Sequence, residues 1–213
     1  MARAARTAPR AGKRTSASRV RIGREVVALD RDRIVEAAWA VVDREGLAGL
    51  STHKVAAELE VKQPALYYHV TNKQHLLSLM VERLFRESAQ SPSPDLPWWE
   101  WLKAYVRAQR RSLLAHRDGG LVAASAPPTE PLRTELFPYL LEPMVRAGIP
   151  LEEAASGVGT LAGFVLGHVI YEQSEQSRAF MEAYSVNAER AFERSIDLIL
   201  AGMRETAREK GPG

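Results

Sequence analysis

Residues 51–73 read STHKVAAELEVKQPALYYHVTNK, from Ser51 to Lys73. Within this stretch Val55, Ala56, Leu59, Val61, Leu66 and Val70 form one apolar set, spread over two short helical segments at 52–59 and 64–70. Neither segment can bury itself or hold a helix alone. A third partner lies just upstream. From Asp30 the apolar residues Ile34, Ala37, Ala38, Val41 and Val42 recur at helical spacing until Gly46 ends the run. Three helices on one core, with the last two joined by a tight turn, make a helix-turn-helix. The second of the pair opens with Pro64, which suits the first helical position. Its other face shows Gln63, Ala65, Tyr67 and Tyr68. Such groups hydrogen-bond base edges, touch a thymine methyl and reach phosphates. A longer helix follows, and Thr71-x-x-Gln74 at its start has the pattern of a capping box.

Outward from this motif the chain reads as helix throughout, with no period-two strand pattern and no internal repeat. Ser91-Pro92-Ser93-Pro94 has the composition of a linker. Helices are expected at 98–115, 129–147, 151–173 and 186–208, separated at Pro127-Pro128 and at Gly148-Ile149-Pro150. The fold class is all-α. A DNA-binding domain spans 29–90, a linker 91–97 and a helical-bundle ligand-binding and dimerisation domain 98–208. A basic disordered arm (1–28) and a short tail (209–213) flank them. Residues 154–171 carry no charge unless His168 is protonated, which raises a membrane span as a reading. Four glycines, Ser156 and Thr160 interrupt the stretch, and Glu152, Glu153 and Glu172 flank it with no basic anchor. A helix buried in protein is the reading adopted, with no membrane partner.

The chain has no cysteine among its 213 residues, so disulfides and thiolate metal sites are excluded. A reducing cytoplasm is the expected compartment. The net charge of +3 is unevenly placed. Residues 1–28 carry Arg3, Arg6, Arg10, Lys13, Arg14, Arg19, Arg21 and Arg24 against Glu25 alone, leaving an acidic body behind a basic arm. That asymmetry suits a polyanion met at one end.

In the second domain the last long helix has Ala188, Ala191, Phe192, Ser195, Ile196, Ile199, Leu200 and Met203 on one stripe. In the helix at 151–173, Gly159, Gly163 and Gly167 stack at intervals of four, while Phe164, His168 and Tyr171 share another face. We assign the glycines, with Phe192, Ile196 and Leu200, to a homodimer interface. The aromatic face goes to a ligand pocket, although His168 reads equally well as a satisfied core histidine. Trp98, Leu102, Tyr105, Gln109, Leu113 and His116 form a further stripe. Gln109 is its odd member, a polar group on an apolar face that needs a partner. His116-Arg117-Asp118 stands at a helix end before Gly119-Gly120, where a cap and a coupling hinge are the roles expected rather than catalysis.

The segment from Asp30 to about Arg86, QPALYYHVTNKQHLL above all, resembles the TetR family of transcriptional regulators. LLAHRDGGLV (113–122), Pro128-Thr129-Glu130 and LAGFVLGHVIYEQ (161–173) extend the likeness towards its tetracycline-repressor branch. The resemblance implies a cytoplasmic homodimeric repressor. It binds a palindromic operator in double-stranded DNA and is released by a small-molecule inducer, with exporter or biosynthetic genes as targets and no cofactor. It also implies that Thr52, Gln63, Pro64, Ala65, Tyr67 and Tyr68 form the DNA-reading surface. Lys73 falls on a phosphate-contacting position and His69 supports the backbone contact. His53 stands where the tetracycline repressors carry a guanine-reading arginine. Glu60 stands in the turn where the family has glycine, and a left-handed backbone there costs a non-glycine residue about 1 kcal/mol.

The resemblance also sets limits. The metal-bound histidine of the tetracycline repressors corresponds to Ala123, and their other drug contacts to Ala89, Tyr105, Gln109, Ala126, Pro127 and Tyr171. Apolar replacements give magnesium neither ligand nor acceptor. The lining left, Trp98, Trp101, Tyr105, Phe164 and Tyr171 with Gln109 and His168 as polar points, suits an apolar or aromatic, metal-free inducer. Two other classes compete. A small-molecule enzyme would need His116, Asp118 or His168 as catalysts, and no nucleophile–base pair, glycine loop or metal spacing supports it. A DNA-binding regulator without a ligand would have no cavity between the helices of its second domain.

Overall fold

The computed structural model describes residues 29–209 apart from Ser91 and Pro94, so the expectations for the basic arm and the last residues of the tail lie outside it. Among the described residues there are ten α-helices and no strand. The first four are α1 (Arg31–Glu45), α2 (Thr52–Glu58), α3 (Gln63–Tyr67) and α4 (Lys73–Ala89), with a 3₁₀ turn at Leu47–Gly49 after α1. Asp30 caps α1 by accepting the Arg33 amide at 2.9 Å. Gly46 ends it with φ +76°, and Ser51 caps α2 through the Lys54 amide. Ile34, Val41, Val42, Val55, Leu66 and Val70 meet in one fully buried cluster, which is what allows a five-residue α3 to persist.

Two local expectations shift. The cap of α4 is Asn72, whose side chain accepts the His75 amide at 2.8 Å, so Thr71 and Gln74 do not form the capping box. Thr71 engages the His75 ring instead. In α3 the first helical residue is Gln63, which moves Pro64 to the second position.

The second domain comprises α5 (Trp98–Leu114), α6 (Gly119–Ser125), α7 (Phe137–Arg146), α8 (Leu151–Gln173), α9 (Glu175–Ala183) and α10 (Ala188–Glu209). The helix expected across 129–147 is interrupted. Pro138 has no N–H to give four residues back, and the turn ahead of α7, Leu132–Leu136, widens to a π-helical one. The unexpected helix is α6. A Cβ at Gly119 would lie 2.0 Å from the Leu113 carbonyl oxygen, and one at Gly120 would lie 2.9 Å from the Ile170 side chain. The two glycines permit close packing of α6 on α5 and α8; they do not break a helix there.

α8 is long and apolar enough to cross a membrane, yet it is the central strut of the bundle. Ala154, Val158, Leu161, Val165 and Val169 bury one face against the neighbouring helices. Near its end Glu172 holds Arg110 of α5 in a bidentate pair at 2.7 and 2.8 Å. Arg110 also reaches Glu189 and lies 4.8 Å over the Phe192 ring. The three helices α5, α8 and α10 are thereby locked together. α4 belongs to both domains, since its last turns pack on α5 and α6 and its Ser78 hydroxyl donates to the Pro127 carbonyl at 2.7 Å.

Glu60, between α2 and α3, has φ +55°, the left-handed conformation that favours glycine. Glu60→Gly is expected to stabilise the protein by about 1 kcal/mol, raising the melting temperature by about 2–4 °C in a circular-dichroism melt. An unchanged or lower melting temperature contradicts this.

Candidate nucleic-acid interface and ligand cavity

The anchoring of Leu66 and Val70 in the core turns the opposite side of α3 outward. Tyr67 is half exposed and Tyr68 almost fully so. Gln63 donates through Nε2 to the Tyr67 hydroxyl at 3.2 Å, one helical turn on, which fixes its amide before any partner arrives. Pro64 is exposed, and Ala65 and His69 are half-buried beside them. Thr52 and His53 open α2 on the same side of the motif, His53 exposed. Lys73 is exposed at the start of α4, with Nζ donating to the Leu47 carbonyl at 3.3 Å. Lys62 was missed in the sequence: it is the exposed residue before α3, and among the described residues it has no ion-pair partner. Its place directly before the recognition helix was the available signal. Lys54 and Arg44 are occupied by Glu45 and Glu58.

The two domains meet at the loop between α5 and α6. Asp118 accepts the Leu47 amide at 2.8 Å, and Asp43 accepts the Arg117 amide at 2.9 Å. His116 contacts Asp43 at 3.0 Å and stacks on Trp39, ring centroids 4.1 Å apart. Arg117 donates to the Arg44 carbonyl. From the other side, Gln173 at the end of α8 donates to the His116 carbonyl at 2.7 Å and accepts the Gly120 amide at 3.0 Å. His116-Arg117-Asp118 is thus a clamp between α1 and the end of α8. It is not the cap expected for α6, because the Asp118 side chain goes to Leu47.

A cavity of about 270 Å³ lies between α4, α5, α7, α8 and the π-helical turn. Phe85, Leu102, Leu136, Leu140 and Leu161 give it apolar walls. Tyr105 and Gln109, one turn apart on α5, are its buried polar members, and Arg133 lies at its edge. Burial holds the Tyr105 phenol above its ordinary range, so it stays a neutral donor. The Gln109 carbonyl oxygen is buried with no hydrogen-bond partner among the described residues.

Several expected site residues lie elsewhere. Trp101 stacks behind Tyr105 and edge-on to Tyr139 without lining the cavity. Phe164, His168 and Tyr171 are on the far side of α8, because Phe164 follows the cavity-lining Ala162 by two residues, about 200° round the helix. Phe164 stacks on Phe192, and His168 is engaged by Glu172 and the Ala188 carbonyl, as a core histidine would be. Tyr171 is exposed. Phe192, Ile196 and Leu200 face the protomer's own core, at 0%, 0% and 4% exposure, and cannot meet a partner. Gly159 borders the cavity, while Gly163 and Gly167 face a shallow depression, and no atom lies within 4 Å of a Cβ at any of the three. The cavity walls from α4, α7 and the π-helical turn were missed because a lining leucine looks like any core leucine.

A helix-turn-helix with an exposed recognition surface, clamped to a bundle holding a cavity, defines a DNA-binding regulator. Residues 34–80 match the family model of bacterial regulatory proteins, tetR family, and residues 91–184 that of the tetracyclin repressor-like C-terminal domain. The chain is 34% identical to the tetracycline repressor protein class E of Escherichia coli over 148 residues, 68% of this chain and 70% of that protein. Its structure aligns with apo ActR from Streptomyces coelicolor at a TM-score of 0.74 and 28% identity, covering 87% of this chain and 99% of that one. It aligns with BioQ from Mycobacterium smegmatis at 0.69 and 29%, covering 83% and 98%. The chain belongs to the TetR family: it is a transcriptional repressor, not an enzyme, with an N-terminal DNA-binding domain and a C-terminal ligand-binding domain.

An unpartnered buried amide costs stability in the ligand-free protein. Gln109→Leu is therefore expected to raise its unfolding free energy by about 1 kcal/mol, read from the urea midpoint. A loss of stability would mean that the amide is satisfied.

Proposed function

We propose that this repressor binds a palindromic operator as a homodimer and is released by a small, metal-free, largely apolar molecule seated in the cavity between α4, α5, α7 and α8. The observation that carries this reading is the Gln109 amide, buried without a partner at the wall of an apolar cavity. A regulator without a ligand would have no use for that cost. The solved relatives support both halves of the reading: ActR has been solved with actinorhodin and BioQ with its double-stranded DNA operator.

α4 supplies the lever. Phe85 at the cavity and Lys73 beside the recognition helix lie on this one helix, about 18 Å apart along its axis. The His116–Asp118 clamp holds α1 while a ligand displaces Phe85, and the tilt of α4 carries α3 with it. Two recognition helices must stand about 34 Å apart to enter successive major grooves. A ligand that prefers another spacing shifts the population off the operator by its differential affinity for the two forms. The target genes are those that export or make the ligand, and the protein acts in the cytoplasm.

Dimerisation uses the outer faces of α8 and α10. Gly159, Gly163 and Gly167 leave open space on α8, and α10 offers Ser195, Gly202 and a Leu198 that is 74% exposed. The cavity has no histidine, aspartate or glutamate in its lining and carries Arg133 at its edge, surroundings that oppose a magnesium chelate.

In gel shifts, Tyr67→Ala and Lys73→Ala should weaken operator binding, Lys73→Ala almost uniformly across sequences. Gln63→Ala should relax base preference by about 1–3 kcal/mol. Three variants binding like wild type would remove the recognition surface from α3. Gly163→Arg should give a folded monomer by light scattering that has lost the operator; a folded dimer would move the interface. Titration calorimetry with tetracycline should show no magnesium-dependent binding at micromolar concentration, and tight metal-requiring binding would overturn the metal-free reading.

A further inference from the structure

The polar groups of the cavity are few and arranged in a line of sight. Tyr105 and Gln109 stand one turn apart on α5, about 6 Å along the axis, and among the described residues neither side chain has a hydrogen-bond partner. Both are more than nine-tenths buried, at 4% and 3% exposure. Tyr105 offers a hydroxyl donor, and Gln109 an amide that can give or take. Arg133 comes from a different element, the π-helical turn that forms the rim. Its neighbour Glu135 is turned away to Arg86, at 2.8 Å. Among the described residues Arg133 has no ion-pair partner, and the cavity lining contains no carboxylate. A guanidinium is charged at every relevant pH and matches a carboxylate in bidentate fashion. A volume of about 270 Å³ lies near the small end of the range for small-molecule sites.

We propose that the ligand is an aromatic monoanion of two or three fused rings, with hydroxyl or carbonyl groups on the edge facing Tyr105 and Gln109 and its acidic group at Arg133. This rests on the reading of the cavity as the inducer site and narrows it to a chemical class. The apolar walls take the ring faces, the two polar side chains select the substituted edge, and Arg133 sets which end points outward. A neutral hydrocarbon of the same shape would leave both buried groups unpaired, which is the penalty that makes such a site selective.

The test uses full-length dimer and three probes: a hydroxynaphthoic acid, its methyl ester, and the naphthoic acid lacking the hydroxyl. Wild type should bind the hydroxy acid about tenfold more tightly than either other probe, the difference expected of one hydrogen bond to a charged or buried group. In Arg133→Ala the acid and its ester should bind equally, with the ester's affinity unchanged. In Gln109→Leu the hydroxylated and unhydroxylated acids should bind equally. Arg133 is exposed, so its variant keeps the fold. Equal binding of acid and ester to wild type overturns the proposal. So does binding of none of the three by protein that still holds its operator. Failure to hold any operator would instead overturn the functional reading beneath it.

Discussion

The contact on which the rest depends is the pair of backbone-to-carboxylate bonds between the His116–Asp118 loop and the end of α1. Asp118 takes the Leu47 amide and Asp43 takes the Arg117 amide, so each side supplies one acceptor and one donor. Charge-assisted bonds of this kind contribute about 1.5–3 kcal/mol each when shielded. They hold Asp118 in a left-handed conformation, φ +54°, that costs about 1 kcal/mol. Gly46 is part of the same constraint. Its φ is +76°, and an added Cβ would lie 2.9 Å from the Asp118 carboxylate. Without this clamp the DNA-binding domain would be tied to the bundle by α4 alone, and a change at the cavity would have nothing to turn against.

Behind the clamp stands a more rigid layer. Gln173 fastens the end of α8 to the same loop from the opposite side. One residue earlier Glu172 is locked to Arg110, both about nine-tenths buried. Removing one partner of such a pair strands a buried charge and costs about 3–5 kcal/mol. Rigidity therefore concentrates at α5, α8 and α10, next to a cavity whose own polar groups are unsatisfied. That contrast is what a sensor needs: a soft, costly site set against a frame that does not yield.

The legibility of this arrangement in the sequence follows its physics. The three-helix core was readable because Ile34, Val41, Val55, Leu66 and Val70 obey helical spacing within short, well-punctuated segments. The left-handed turn at Glu60 was readable from one residue standing in a glycine's place, and φ +55° bears it out. The register of α8 was not. Its residues are small or apolar on every side, so no contrast marked which face met α5 and which met α10, and Phe164 and His168 went to the wrong one. Phe192, Ile196 and Leu200 were read as an interface because a buried stripe looks the same whether its partner is the same chain or a second copy. Gly119 and Gly120 looked like helix breakers, although their role is close approach to Leu113 and Ile170. Gln109 was picked out because a polar residue on an apolar stripe is visible in sequence. Arg133 was not, since nothing local shows that an exposed arginine borders a cavity. The clamp was half legible: the loop was recognisable as a joint, but its partner Leu47 lies 71 residues away along the chain.

The absence of cysteine permits a direct measurement of whether the clamp sets the position of the recognition helix. Tyr68→Cys, at a site 88% exposed, carries one spin label per protomer, and double electron–electron resonance reads the separation of the two recognition helices in the dimer. The account predicts a narrow distance distribution that broadens when Asp43→Ala and Asp118→Ala are introduced together. If the doubly substituted protein keeps the narrow distribution, the clamp does not position the recognition helices and the account is wrong.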